Sequence, residues 1–206
     1  MSNLTIDGRP KPEQVEPVKN SKDIKKIRQY LIGKENKRDY CIWVCGTNFL
    51  LRAGDLLNLK WSDVLESENT FKIHLVVQEE KTDKTRRIKI NDDVKEALAL
   101  YKNNLKGFNI DNYIFSSRKG SESISVRSLH KIIKTTLREL NINGNYGSHT
   151  LRKTGAYKIY SDNIKDNPAI LSYLQKILNH SSQSITLRYI GIEAQEIDDI
   201  FDNIKW

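Results

Sequence analysis

Apolar residues recur along most of the chain at the spacing of helices that bury one face. The second of these segments is apolar through residues 40–45, so we expect its helix to lie at the centre of the fold. The predicted helices cover residues 22–32, 35–51, 53–59, 92–105, 126–140, 150–162, 169–178, 185–190 and 194–204.

Two strands are predicted in the first half of the chain. Residues 71–77 are rich in β-branched and aromatic side chains, and residues 87–90 alternate between basic and apolar. The polar stretch 78–86 would then form the tip of a hairpin, and residues 113–115 are either a third strand or an extended connector. The predicted fold class is mainly α with a small antiparallel β-sheet, an α+β architecture.

The first twenty residues differ from the rest of the chain. They contain three of the four prolines and show no periodicity. We therefore predict a flexible N-terminal lead or linker at residues 1–20 and one domain at residues 21–206, long enough to bury its own core. The chain has neither an apolar run of membrane length nor a signal-like N-terminus, so we expect a cytoplasmic protein.

Charge is unevenly distributed. The net charge is +8, yet residues 191–206 hold five acids and one base, so the remainder carries 33 basic and 21 acidic residues, a balance of +12. Such a surplus favours a polyanionic partner, although a well-solvated basic surface would have the same composition. The two cysteines, Cys41 and Cys45, share one helix face and lack further ligands nearby, which favours reduced core residues over a metal site.

The residues suited to phosphate chemistry include one well-placed tyrosine. Tyr189 lies nine residues after His180, and two arginines, Arg52 and Arg152, stand upstream. A tyrosine hydroxyl has a pKa of about 10 and needs help in losing its proton before it can attack phosphorus. An arginine fork neutralises phosphate oxygens, and a lysine or histidine can protonate a leaving oxygen. Together these residues form a set suited to cutting DNA with a tyrosine.

Two pairs share a spacing of three residues. His149 and Arg152 stand at the start of a predicted helix and so share one face, and Arg52 and Asp55 have the same spacing. Asp55 could accept hydrogen bonds from an arginine and fix its fork. Taken singly, each pair is better explained as a surface ion pair or as ordinary polar residues on a helix surface.

The full set resembles the tyrosine recombinase (phage integrase) family, and the similarity covers residues 21–206 in the family's order. Residues 52–64 resemble its first arginine box, and residues 81–88 resemble the β-hairpin that holds its catalytic lysine. Residues 149–152 match its H-x-L-R box, and residues 178–189 resemble the box that ends in its tyrosine. The larger members carry an additional DNA-clamping domain, so this chain is either an excised catalytic domain or one of the short members.

The resemblance implies a role for each residue at the break. Tyr189 is the nucleophile that forms a 3′-phosphotyrosyl bond, and Arg52 and Arg152 clamp the scissile phosphate. Lys81 protonates the 5′ leaving oxygen, and Lys84, three residues away on the same hairpin tip, competes with it for this assignment. The covalent bond conserves the energy of the cut strand, so rejoining needs no ATP.

The remaining roles are supporting ones. The resemblance implies that His149 assists proton transfer at the tyrosine, that His180 donates to the phosphate, and that Asp55 supports the arginines. It implies no metal and no cofactor. The chain departs from the family where Leu50 and Asn179 stand in positions that usually hold glycine.

Three other readings compete with a site-specific recombinase. A type IB topoisomerase would share the fold and chemistry but usually lacks the histidine of the H-x-L-R box, so His149 favours the recombinase. A non-catalytic DNA-binding relative would have lost a catalytic residue, yet all six candidates are present. A metal-dependent nuclease is the weakest reading, because the adjacent acids at residues 79–80 and 92–93 point apart.

The resemblance also implies the partners. These are double-stranded DNA and further copies of the chain, a tetramer on DNA that can be a monomer in solution, with no membrane involved. The predicted helix at the C-terminus has one apolar stripe with acids opposite, and the family implies that it docks on a neighbouring protomer. The target site, and the choice between integration, excision, inversion and resolution, remain open.

Overall fold

The computed structural model describes residues 14–81, 83–117, 122–192 and 202. Its helices are α1 (Ser21–Gly33), α2 (Lys37–Phe49), α3 (Ala53–Leu57), α4 (Trp61–Val64), α5 (Asp92–Asn103), α6 (Val126–Glu139), α7 (Thr150–Asn163), α8 (Ile170–Leu178) and α9 (Gln183–Ile190). Its strands are β1 (Leu65–Ser67), β2 (Thr70–Phe71), β3 (His74–Gln78) and β4 (Thr85–Lys89).

The fold class predicted from the sequence is confirmed. The helices expected between residues 22 and 190 form, with ends within two residues of those predicted, and α2 lies at the centre against α1, α5 and α7. Short α4 was not predicted as a helix; its first turn is closed where the backbone N–H of Lys60 donates to Asp63 Oδ2 at 2.7 Å. The predicted helix at residues 194–204 lies outside the described residues apart from Asp202.

The expectation of a single sheet is wrong, because the described residues form two separate hairpins. Strand β1 pairs with β2, and β3 pairs with β4 in antiparallel register from His74 opposite Lys89 to Gln78 opposite Thr85. The predicted strand 71–77 is broken because the backbone N–H of Lys72 turns to the carbonyl of Val64 at 2.9 Å. Residues 113–115 are the connector rather than the strand: Tyr113 forms an isolated bridge with Lys60, and the N–H of Ile114 donates to the carbonyl of Leu59 at 2.8 Å.

A second, smaller hydrophobic cluster supports the C-terminal helices. Ala156 of α7 packs there with Leu174 and Leu178 of α8 and Ile190 of α9, each almost fully buried. This cluster holds α8 and α9 against α7, so the residues at the ends of these helices have fixed positions relative to one another.

Residues 14–20, here called the N-terminal strap, are bound to the domain. Val18 is 1% exposed and its N–H donates to Thr154 Oγ1 at 2.9 Å, while the hydroxyl of Thr150 donates to the carbonyl of Glu16 at 3.0 Å. The strap differs in this respect from the flexible lead predicted over residues 1–20, because Val18 supplies an apolar anchor. Residues 1–13 lie outside the described part of the chain.

Cys41 and Cys45 are buried free thiols, as the sequence predicts, and burial raises the pKa of the Cys41 thiol. Among the helices that the structure describes, each is too short or too polar to reach across a lipid bilayer.

The contact between α2 and α7 leaves no room for a side chain at Gly155. A Cβ there would stand 1.9 Å from the backbone oxygen of Thr47. Gly155→Ala should therefore lower the free energy of unfolding by about 3 kcal/mol or more, at or above the usual range for overpacking. The measurement is urea denaturation followed by circular dichroism. Gly33→Ala is the matched control, since a Cβ at Gly33 meets no atom within 4 Å; equal stability of both variants would contradict the close crossing.

Candidate active site

Four parts of the fold bring the predicted site residues together. Arg52 precedes α3, the hairpin β3–β4 reaches over it, α7 begins just after His149, and α9 ends just after Tyr189. The positive charges of Arg52 and Arg152 act on His149, His180 and Tyr189 alike, and the charge of Lys81 acts on His149. Residues that are up to 137 positions apart in sequence thus face one cluster.

The two arginines are held in different ways. Arg52 follows the left-handed turn at Leu50 (φ 51°), and its Nη1 lies 2.6 Å from Glu79 Oε2. Arg152 is 4% exposed, and its Nη2 donates to the carbonyl of Leu178 at 3.0 Å. Its Nη1 is buried, lies 4.0 Å from Glu79 Oε1, and has no hydrogen-bond partner among the described residues. A buried cationic donor in this state suits an anionic ligand.

Glu79 and Arg86 belong to the cluster, and the sequence interpretation missed both. Glu79 is 1% exposed, and its Oε1 lies 3.2 Å from Arg86 Nη1. The neighbouring Glu80 is exposed, so the two acids do point apart as expected. The signal was available: Glu79 continues the alternation of Leu75 and Val77 towards the protein interior.

Tyr189 lies in the last turn of α9 with its hydroxyl buried. The described residues offer Tyr189 Oη no hydrogen-bond partner. The ring meets that of His180 edge to face at 4.9 Å between centroids, and Lys153 Nζ lies 4.9 Å from its centre on another side. Burial raises the pKa of the Tyr189 phenol, and the charges of Arg152 and Arg52 partly oppose that rise. The phenol is therefore neutral at pH 7 and needs a base to become a nucleophile.

Both histidines of the cluster are neutral at pH 7. The loss of surrounding water, followed by the charges of Arg152 and other cations, lowers the pKa of His149 and of His180. His180 Nδ1 lies 3.1 Å from Thr186 Oγ1, and that contact fixes the plane of the ring. A neutral imidazole can accept a proton, which a protonated one cannot.

These lowered pKa values predict how stability depends on pH. The folded state binds protons at His149 and His180 less readily than the unfolded chain, whose histidines titrate at about 6.5. Stability should therefore be constant above that pH and fall as the pH drops below it. The measurement is the free energy of unfolding in urea between pH 7.5 and 5. A variant with His149→Asn and His180→Asn should lose part of this slope; a slope unchanged in the double variant would contradict the prediction.

The two lysines of the hairpin tip have different surroundings. Lys81 is exposed and close enough to His149 to lower the pKa of that ring. Lys84 Nζ donates to Asn179 Oδ1 at 2.7 Å, at the end of α8. Lys84 is therefore bonded to the end of α8, while the charge of Lys81 acts on the cluster.

Leu50 and Asn179, which stand where the family usually has glycine, share one backbone feature. Both residues adopt left-handed backbone conformations, with φ of 51° and 55°, where glycine has no steric cost. Asparagine tolerates this conformation well, and leucine does so at a cost of about 1 kcal/mol. The fold therefore keeps both turns with residues other than glycine.

Asp55 does not hold an arginine, and that expectation is corrected. It is 5% exposed, and its Oδ1 accepts a hydrogen bond from the backbone N–H of Glu80 at 3.1 Å. This hydrogen bond joins α3 to the hairpin. Asp55 thus contacts the hairpin backbone rather than a guanidinium group. Its Oδ2 is buried and lacks a partner in the described part of the chain. No group of three or more His, Cys, Asp or Glu side chains that could hold a metal ion occurs among the described residues.

Comparisons with known proteins agree with one another. Residues 18–196 match the model of the phage integrase family. The probable integrase/recombinase YoeC of Bacillus subtilis is 37% identical over 179 residues, which cover 87% of this chain and 91% of YoeC. The tyrosine recombinase XerC of Caldanaerobacter subterraneus is 29% identical over 84% of this chain and 46% of its own length.

Solved structures share the fold. The XerA recombinase superposes with a TM-score of 0.69 at 23% identity, covering 96% of this chain and 68% of XerA. A lambda integrase dimer bound to a COC′ core site gives a TM-score of 0.62 at 18% identity, covering 89% of this chain and 62% of that one. At these identities the likeness concerns the arrangement of helices and hairpins.

Proposed function

The chain belongs to the phage integrase family of tyrosine recombinases, and from this premise we propose which of its residues cut and rejoin DNA. One observation carries the proposal. Arg152 Nη1 and Tyr189 Oη are both buried and lack partners among the described residues, and the charge of Arg152 acts on the Tyr189 phenol. A phosphodiester between them would satisfy the donor with a non-bridging oxygen and offer phosphorus to the hydroxyl.

The phosphate lies against Arg52 and Arg152. Their charges neutralise the non-bridging oxygens and stabilise the further negative charge that develops there in the transition state. Both guanidinium groups are fixed before DNA arrives, Arg52 by Glu79 and Arg152 by the carbonyl of Leu178. Preorganised donors of this kind contribute more than donors that must first be ordered.

Tyr189 cuts the strand in one displacement. The bond between Tyr189 Oη and phosphorus forms as the bond to the 5′ oxygen breaks, leaving a 3′-phosphotyrosyl link. The phenol proton passes to neutral His149, and the leaving oxygen takes a proton from Lys81. Rejoining is the reverse, with a 5′ hydroxyl as the nucleophile and Tyr189 as the leaving group, so no ATP is consumed.

His180 and Asp55 act beside the reacting atoms. The contact of His180 Nδ1 with Thr186 Oγ1 at 3.1 Å orients the ring, and Nε2 can donate to the phosphate when it carries a proton. Asp55 keeps the hairpin in place through the N–H of Glu80, next to Lys81. The proposed chemistry uses only side-chain cations and needs no metal or cofactor.

The partners are double-stranded DNA and further copies of the chain. The basic surplus and the solved DNA complexes of structural neighbours such as XerH and lambda integrase support DNA as the partner. A tetramer on DNA, coupled through the acidic segment after Tyr189, is the assembly we propose, with the reaction located in the cytoplasm at its DNA target. A topoisomerase is less favoured, because the histidine of the H-x-L-R box is present at position 149.

The test is covalent capture of DNA. The protein is incubated with a pool of duplexes of randomised sequence, each carrying a nick near its middle. Cleavage close to the nick releases a short fragment that diffuses away, so rejoining is prevented and the adduct accumulates. Adducts are separated under denaturing conditions with EDTA present throughout, and the captured DNA is sequenced. We expect adducts enriched in one sequence. Cleavage without any adduct, lost in EDTA and recovered on adding Mg²⁺, would point to a metal-dependent nuclease instead.

A further inference from the structure

The candidate site contains one buried carboxylate among its cations. Glu79 is 1% exposed, each of its two oxygens meets a different arginine, and a third guanidinium stands 4.0 Å away. Removing an ionised carboxylate from water is costly unless it is paired, and Glu79 is paired on both oxygens. Its placement among the phosphate-binding groups therefore needs a functional explanation.

The geometry at Arg52 suggests what Glu79 does. Its Oε2 holds Nη1 of Arg52 at 2.6 Å, which fixes the plane of the fork. Within the described residues, no hydrogen bond engages the second terminal nitrogen of Arg52, so this donor is available to an incoming phosphate. The three guanidinium groups of Arg52, Arg86 and Arg152 exceed the one carboxylate in charge, and the cluster therefore still attracts an anion.

Arg86 connects the carboxylate to the backbone just before Arg52. Its Nη1 contacts Glu79 Oε1 at 3.2 Å and donates to the carbonyl of Leu50 at 3.0 Å, and its Nη2 donates to the carbonyl of Phe49 at 3.3 Å. These contacts join the hairpin to the end of α2, two residues before Arg52. The hairpin also carries Lys81, so the same connection fixes the distance between the lysine and the arginine.

We propose that Glu79 is a positioning residue for strand cleavage, which holds Arg52 with one terminal nitrogen turned to the scissile phosphate and locks the lysine-bearing hairpin to the same arginine. The proposal rests on the proposed function. Its effect is on the rate of the chemical step and not on DNA affinity, because a carboxylate so close to the phosphate repels the DNA while it aligns the arginine.

The experiment compares Glu79→Gln with Glu80→Gln on a captured DNA site. Glutamine keeps the shape of Glu79 but replaces one acceptor oxygen by a donor, so one of the two arginine contacts is lost. Adduct formation at saturating DNA should slow by about 10- to 100-fold, the usual effect of small displacements of reacting groups. The DNA dissociation constant should stay equal or become tighter. Glu80→Gln is matched in chemistry and one residue away, but its side chain is exposed and bonded to Asn58 Nδ2, so its rate should match the wild type.

A double-mutant cycle separates positioning from a general structural role. In an Arg52→Ala background, Glu79→Gln should change the cleavage rate less than twofold, because the arginine through which it acts is gone. Substrates with sulfur at the 5′ bridging position keep these slow rates measurable, since sulfur leaves without a proton.

Four results would overturn the proposal. The first is a Glu79→Gln cleavage rate equal to that of Glu80→Gln. The second is a faster rate, which would make the carboxylate a competitor of the phosphate. The third is a weakened DNA affinity with an unchanged rate, and the fourth is an equal loss of rate in the Arg52→Ala background. Failure of the proposed function looks different, because the wild-type protein itself would then form no adduct, and this inference would fall with it.

Discussion

Tyr189→Phe is expected to form no covalent adduct with DNA while it keeps its fold and its DNA affinity. The substitution removes only Oη, the atom proposed to bond to phosphorus, and leaves the ring in contact with His180 and Lys153. Because Oη is buried and lacks a hydrogen-bond partner among the described residues, its loss breaks no contact there and even removes an unsatisfied polar group. The thermal midpoint should therefore stay the same or rise.

The measurement combines a denaturing gel, a DNA-binding titration and a thermal scan on the same preparations. Tyr160→Phe is the matched control, since Tyr160 lies in α7 and not in the helix of Tyr189, and its variant should form adduct as the wild type does. Adduct formed by Tyr189→Phe would sink the assignment and make Tyr160 the next candidate. Loss of DNA binding in the Phe variant would also count against it, because the phenol is proposed to act in chemistry alone.

The second large effect is expected from Lys81→Ala, which should slow cleavage by roughly 10²–10⁴-fold, the scale of a positioned general acid. Lys81 is exposed on the hairpin tip and its charge acts on His149, so it lies at the cluster proposed to hold the phosphate. A substrate with sulfur in place of that oxygen needs no proton on departure. It should therefore restore most of the rate of Lys81→Ala.

Lys84→Ala is the control for this assignment. Lys84 holds Asn179, so its loss should loosen the contact between the hairpin and α8 and cause a smaller decrease that the sulfur substrate does not repair. Rescue of Lys84→Ala, with no rescue of Lys81→Ala, would reverse the assignment of the two lysines. Slow cleavage by both variants without rescue of either, or unchanged rates in both, would remove the general acid from this hairpin altogether.

The sequence predicted those features that depend on neighbours along the chain. The helical periodicities placed α1 to α9 apart from short α4, and the motif that ends in Tyr189 also holds His180, whose ring the structure brings into contact with that of Tyr189. The order of the motifs identified the family because each motif is local. The cluster around Arg52 and Arg152 followed from that resemblance and not from any pattern within the chain.

Features that depend on distant contacts escaped prediction. The burial of Glu79 is decided by Arg52, 27 residues earlier, and by Arg86 across the hairpin. Asp55 was expected beside an arginine but meets a backbone N–H 25 residues later. The single predicted sheet became two because Lys72 bonds to Val64 instead of extending the strand. In each case the partner of a polar group is set by the tertiary structure, which hydrophobic alternation and motif spacing do not predict.

The N-terminal strap has a practical consequence for anyone who cuts or extends this protein. It bonds to Thr150 and Thr154 on the helix of Arg152, and Lys19 donates to the carbonyl of Gly191, two residues after Tyr189. A cleavage between residues 20 and 21, where composition suggests a boundary, would uncover α7 and release the end of α9. A cleavage before residue 14 would spare both. Any domain or affinity tag fused upstream of residue 14 is thereby joined to a strap that contacts both α7 and the end of α9, the two helices that carry Arg152 and Tyr189.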